Sequence, residues 1–110
     1  PNCGDEIELQ VKINGDVIED MAFSGHGCAI SQASTSIMID TLKGKTLEEA
    51  KQIIDTFIGM IKREITDEVE LKKLDEAIAL KNVSNMPARV KCALLAWHTL
   101  EDMIEKKNNK

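Results

Sequence analysis

Aromatic residues make up only 3% of this 110-residue chain. Ile, Leu, Val, Met and Ala must therefore fill whatever core it builds. Basic residues are also in short supply, with 14 Lys and Arg against 19 Asp and Glu and a formal net charge of -5. A nucleic-acid partner is excluded on that balance, because phosphate contacts need clustered cations. The Lys-rich end at residues 106–110 reads as a frayed, soluble terminus. No window is long and apolar enough to span a bilayer, and no signal peptide is visible, so no membrane role is expected. The cysteines number three, an odd and scattered set. A secreted disulfide framework would be even and denser, so a reducing, cytoplasmic setting fits better. The chain opens on Pro1 without an initiator Met, as a piece of a longer polypeptide would. Internal repeats and low-complexity boundaries are absent as well. With 43% hydrophobic and 30% charged residues, the composition is that of one globular domain over residues 1–110.

What is present is ordered simply. Ile7, Leu9, Val11 and Ile13 alternate with Glu6, Glu8, Gln10 and Lys12, the period of a half-buried strand. Asn14-Gly15 signals a hairpin turn. A second strand is predicted over residues 17–24, with Val17, Met21 and Phe23 on its apolar face. Glu19 breaks that pattern, as a bulge or an exposed strand end would. The glycine-flanked segment 25–31 predicts a short third strand or a turn. A helix follows over residues 31–42, with Ile30, Ala33 and Ile37 as its buried stripe and Met38 and Leu42 alongside. Its Ser34, Thr35 and Ser36 argue against burial on all sides. Thr46 and Glu49 form a capping-box signature ahead of Leu47, Ala50, Ile54, Phe57 and Ile61. A further helix after Thr66 would turn Leu71, Leu74 and Ile78 inward. Residues 82–86 read as a connection, and Pro87 suits the opening turn of a last helix. There Val90, Ala93, Trp97, Leu100 and Ile104 recur at helical steps. Strands followed by helices give an α+β sandwich.

The residues that carry chemistry are few. Cys3-Gly4-Asp5 precedes the first strand, Cys28 sits in the glycine-flanked segment, and Cys92 lies early in the last helix. None of these spacings is a local zinc-knuckle pattern. A Cys and an Asp separated by glycine can both turn toward one metal ion. Cys92 shares a helix face with Arg89 and Ala96, and a cation plus an early-helix position would favour its thiolate. Three thiolates and a carboxylate suit tetrahedral zinc, and they equally suit iron–sulfur species. The same thiolates are nucleophiles for sulfur exchange. Each cysteine alone also reads as a small buried hydrophobe. Asp5 alone is a loop or strand-capping carboxylate, and Arg89 alone a solvated residue or ion-pair partner. His26 reads as a loop residue, a proton shuttle or a fourth ligand, and His98 as a surface or packing residue.

Pro1-Asn2-Cys3-Gly4-Asp5, Gly25-His26-Gly27-Cys28-Ala29-Ile30-Ser31 and Pro87-Ala88-Arg89-Val90-Lys91-Cys92-Ala93 together resemble three signatures of the IscU/NifU-like iron–sulfur cluster assembly family. The closer likeness is to its SufU-like branch. The resemblance implies a SufE/NifU-like α+β fold, with a three-stranded antiparallel sheet packed against helices. It implies metal ligation by Cys3, Asp5, Cys28 and Cys92, with zinc as the ion in the SufU-like branch. In the IscU branch the equivalent cysteines scaffold a [2Fe–2S] cluster. It implies a pyridoxal-phosphate cysteine desulfurase as sulfur donor, Cys3 as persulfide acceptor, and Arg89 as a thiolate-stabilising or partner-docking residue. Downstream, a further iron–sulfur scaffold or apo-protein acceptors would take the product. Lys91 stands where the IscU branch has a histidine ligand, and Arg89 follows the SufU-like pattern. The stretch 59–85 resembles the insertion that marks SufU-like chains. The consecutive prolines of the IscU chaperone motif are replaced by Met86-Pro87-Ala88. The family's leading helix has no counterpart ahead of Cys3, as truncation or disorder before Pro1 would give. The expected function is zinc-dependent sulfur transfer, with a [2Fe–2S] scaffold and a zinc-stabilised interaction domain as the other two readings.

Overall fold

The computed structural model describes residues 6–108, with the backbone alone at residues 75, 107 and 108. The alternating segment forms β1 (Glu6–Asn14), which pairs antiparallel with β2 (Val17–His26). Gly15 and Asp16 make the turn, and Gly15 takes φ 63°, where glycine meets no Cβ penalty. The register slips after Lys12↔Asp20, so that Ile13 pairs with Ile18 and Glu19 is the extra residue. This is the bulge that the misplaced Glu19 signalled. Its carboxylate lies outward, 3.2 Å from Lys12 Nζ. The bulge also corrects the apolar face: Ile18 is fully buried, whereas Val17 is 37% exposed. One inserted residue turns every side chain before it to the other face.

β2 runs two residues past the predicted end. Gly25 and His26 stay paired, with Ile7 and Glu6, so the glycine segment extends β2. Among the described residues the sheet has two strands. The α+β class holds, with helices covering one face of the hairpin.

α1 (Ala29–Leu42) starts on Cys28 as N-cap. Its buried stripe differs from expectation. Ser31, Ser34, Thr35, Met38, Thr41 and Leu42 are buried, Ala33 is exposed, and Ile30 and Ile37 are half-buried. Small hydroxyl side chains can enter a tight helix interface when their oxygens find acceptors. Thr35 Oγ1 donates to the Ser31 carbonyl at 2.8 Å, and Ser34 Oγ donates to the Ala93 carbonyl at 2.6 Å.

The loop after α1 returns to the sheet. Ile18 N–H donates to the Lys45 carbonyl, Gly44 N–H to that of Ile18, and Leu47 N–H to that of Asp16. The capping box forms as read: Thr46 Oγ1 accepts from Glu49 N–H, and Glu49 Oε1 accepts from Thr46 N–H. α2 (Leu47–Ile61) then buries Leu47, Ala50, Ile54, Phe57 and Ile61. It closes on Arg63 at φ 65°. Glu64 N–H reaches the Gly59 carbonyl and Arg63 N–H that of Met60, the Schellman arrangement with arginine in the glycine position.

Helix α3 (Glu68–Leu71) is one turn, capped by Asp67 Oδ1 accepting from Val69 N–H. It passes directly into a 3₁₀ helix over Lys72–Asn85. The α-helical spacing read after Thr66 is corrected here. Leu71, Leu74, Ala77 and Val83 are buried and Leu80 half-buried, while Ile78 is 36% exposed. A step of three is what three residues per turn demands. α4 (Pro87–Asn108) opens on proline as expected. Trp97, fully buried, stacks on Phe57 of α2 with ring centroids 3.9 Å apart and planes 8° from parallel.

Candidate functional site

Three parts of the fold carry the candidate site. The first is the open end of the hairpin. Gly25 takes φ 105°, and a Cβ there would run into the Glu6 carbonyl oxygen. Only glycine lets the two strands close at this point. Glu6 pairs with His26, so the start of β1 and the end of β2 lie side by side at the same end of the hairpin.

The second is the start of α1. Cys28 holds the N-cap with φ -70° and ψ 168°, and its carbonyl accepts the first helical bond from Gln32 N–H at 3.0 Å. Gln32 Nε2 also donates to the Gly27 carbonyl at 2.9 Å, tying the glycine turn to the helix. No acidic side chain occupies the first turn. The N–H groups of residues 29–31 therefore present partial positive charge without a carboxylate on α1 to neutralise it.

The third is the early part of α4. Cys92 is 1% exposed. Ala93, beside it, accepts from Ser34 Oγ, and Trp97 Nε1–H in turn donates to Ser34 Oγ at 2.9 Å. This relay fixes the Cys28 helix against the Cys92 helix. Leu95, one turn from Cys92, lines a cleft of about 480 Å³ together with Glu6, Ile7, Glu8, Ser24 and Gly25. The cleft thus joins the open end of the hairpin to α4.

Of the predicted ligands, Cys28 and Cys92 are described, and Cys3 and Asp5 lie outside the described residues. Among the described residues no group of three or more His, Cys, Asp or Glu stands close enough to hold a metal ion. The two described donors are soft sulfur ligands, which suit zinc and iron–sulfur species alike. Arg89 is exposed at the first turn of α4, one turn from the buried Cys92. Lys91 is exposed, as is His26 at the end of β2. His98 is exposed beside Glu101, with Nδ1 3.5 Å from Oε1, which is the surface role read for it.

Residues missed in the sequence are the hydroxyls of α1. Ser31 is 1% exposed, and its Oγ has no hydrogen-bond partner among the described residues. Ser34 links the two cysteine-bearing helices. The signal was available in their spacing, since residues 31, 34, 35, 38, 41 and 42 form one helical stripe.

Residues 1–93 match the NifU-like N terminal domain family. The zinc-dependent sulfurtransferase SufU of Bacillus subtilis is 43% identical over 107 residues, covering 96% of this chain and 71% of that protein. The iron–sulfur cluster assembly scaffold protein IscU of Streptococcus pyogenes is 44% identical over 109 residues, covering 99% and 67%. Among solved structures, an iron–sulfur cluster assembly scaffold protein for the SUF system from Fervidobacterium islandicum superposes with a TM-score of 0.84 at 45% identity, over 90% of this chain and 71% of that one. The order of the three motifs, the hairpin followed by helices and these matches agree, and the chain belongs to the NifU-like N-terminal domain family.

Proposed function

We propose that this chain is an iron–sulfur cluster assembly protein that accepts persulfide sulfur at a zinc site made by Cys3, Asp5, Cys28 and Cys92. The observation that carries this reading is the pairing of Glu6 with His26. Consecutive Cα atoms are about 3.8 Å apart. Asp5 is therefore one such step from Glu6 and Cys3 three, while Cys28 is two steps beyond His26 on the neighbouring strand. Cys92 lies one helical turn before Leu95, which lines the cleft beside the Glu6 end of the hairpin. The SufU relative supports zinc and sulfur transfer as the activity.

Bound zinc would hold its cysteine ligands as thiolates. Cys3, on the segment leading into β1, is the acceptor. Its thiolate attacks the outer sulfur of the persulfide on a pyridoxal-phosphate cysteine desulfurase. A new S–S bond forms at Cys3, the donor's S–S bond breaks, and the electron pair leaves with the donor cysteine as thiolate. The outer sulfur carries its proton across, so nothing is oxidised or reduced overall. Asp5 contributes a harder oxygen donor, which makes the site more exchangeable than four thiolates would. Exposed Arg89 offers a cation at the rim for the docked partner. Delivery would go on to an iron–sulfur scaffold or apo-proteins.

The second reading is a scaffold that builds and passes on a [2Fe–2S] cluster, supported by the IscU relatives. Exposed Lys91 next to Cys92 favours the first, because a protonated amine cannot ligate where the scaffold branch has histidine. Anaerobic incubation with a cysteine desulfurase and cysteine tests both, read by intact mass and metal analysis. Sulfur transfer predicts added mass of one sulfur on Cys3 and bound zinc. It is refuted if Cys3→Ala accepts sulfur and stimulates the desulfurase like the parent. A transferable cluster with no zinc establishes the scaffold instead.

A further inference from the structure

The buried hydroxyl of Ser31 is not absorbed by the sulfur-transfer reading. It is 1% exposed, and among the described residues Oγ meets no acceptor or donor. An unpaired buried hydroxyl is costly, so a group that completes it in the working protein is expected. Its position says which. Ser31 is the third helical residue after the N-cap Cys28. That places the Ser31 side chain within the first helical turn after Cys28, on the position from which a capping box draws its reciprocal bond. Ser31 also lies on the α1 stripe turned to α4, one turn before Ser34, whose hydroxyl meets Ala93 beside Cys92. A serine side chain has one heavy-atom torsion, and its hydroxyl hydrogen turns to suit an acceptor. Among the described residues Thr41 Oγ1 is the other unpartnered buried hydroxyl, but it sits at the far end of α1 from Cys28.

We propose that Ser31 is a positioning residue of the metal centre, whose hydroxyl donates a hydrogen bond to the Cys28 sulfur when Cys28 ligates zinc. The proposal rests on the shared-site reading above. An acceptor thiolate satisfies the orphan donor, and the bond fixes the direction from which that sulfur meets the metal. It also withdraws electron density from the sulfur. Metal-free protein carries the cost of the unmet hydroxyl, and zinc binding relieves it.

The test compares Ser31→Ala with Thr41→Val, using zinc alone as the probe. Ser31→Ala is expected to weaken zinc by roughly ten- to a hundredfold in chelator competition, the usual loss for a group that orients a ligand. In cobalt(II)-substituted protein, its thiolate-to-metal charge-transfer band should move to lower energy, because the sulfur is no longer a hydrogen-bond acceptor. Metal-free Ser31→Ala should melt no lower than the parent, which separates the effect from misfolding. Thr41→Val should leave zinc affinity and the cobalt band unchanged. Parent-like zinc affinity and cobalt spectrum in Ser31→Ala would overturn the proposal. If the parent fails to bind zinc, or Cys28→Ala binds it equally well, the shared-site reading itself falls, and this inference falls with it.

Discussion

Replacing Ser34 by alanine should be among the most damaging single-atom deletions in this protein, and the reason is local. Ser34 Oγ is wholly buried, donates to the Ala93 carbonyl at 2.6 Å and accepts from Trp97 Nε1–H at 2.9 Å. Its removal forfeits one buried bond, worth about 0.5–1.5 kcal/mol net, and strands an indole N–H at a further cost of about 1–3 kcal/mol. The expected destabilisation is about 2–4 kcal/mol, a large share of the 5–15 kcal/mol typical of a folded domain. The two contributions separate in a double-mutant cycle with Trp97→Phe. Phenylalanine has no N–H to strand, so Ser34→Ala in that background should cost only about 1 kcal/mol, leaving a coupling of about 1–3 kcal/mol. Trp97 is the sole tryptophan, so unfolding should be followed in urea by far-UV circular dichroism, in metal-free protein. Additivity within about 0.5 kcal/mol would refute the claim that the relay joins α1 to α4 through the indole.

Two further perturbations probe the hairpin end and the start of α2. Gly25→Ala places a methyl group on the Glu6 carbonyl at φ 105°. It should cost more than about 2 kcal/mol and raise amide exchange at Ile7 and Glu6, while exchange at the Asn14–Val17 end stays slow. At low pH, Glu49 is the group to watch. Its carboxyl is held below its ordinary value of 4.5 chiefly by the Thr46 N–H bond, then by the Thr46 hydroxyl. A lowered folded-state value means that its contribution is complete above about pH 4.5–5 and is lost as pH falls through the folded value. Glu49→Gln keeps the capping acceptor without the titration, so its acid-unfolding curve should be flatter than the parent's below pH 4.5. An identical acid slope would show that the box does not titrate with folding.

The hairpin, α2 and the core stripe of α4 were legible because their patterns are redundant. Ile7, Leu9, Val11 and Ile13 alternate without exception, and Thr46 with Glu49 marks the start of α2 before any apolar residue is counted. Glu19 announced the bulge but not its consequence, since a single residue out of phase does not say which neighbour turns inward. Ile18 did. The α1 stripe differs from its apolar pattern because buried hydroxyl residues count as polar in a sequence. Ser34 is apolar in effect once Ala93 and Trp97 satisfy it, and those partners lie about sixty positions away. Sequence spacing does not separate Ile78 from Ala77, because Leu71, Leu74 and Ile78 satisfy an α-helical step as well as Leu71, Leu74 and Ala77 satisfy a 3₁₀ one. The candidate site residues Cys28 and Cys92 stand out in the sequence as residue types, but the glycine contact that closes the hairpin end and the burial of the α1 hydroxyls are visible only in three dimensions.

The 3₁₀ winding of Lys72–Asn85 also sets a length. Fourteen residues at about 2.0 Å each span about 28 Å, against about 21 Å for the same residues at α-helical rise. The segment is therefore a strut that ends on Met86, where α4 begins at Pro87. Rewound as α-helix it would stop some 7 Å short, and Cys92, less than two turns into α4, would be drawn away with it. The reach of the strut, and not only the grip of the core, determines where the last sulfur stands.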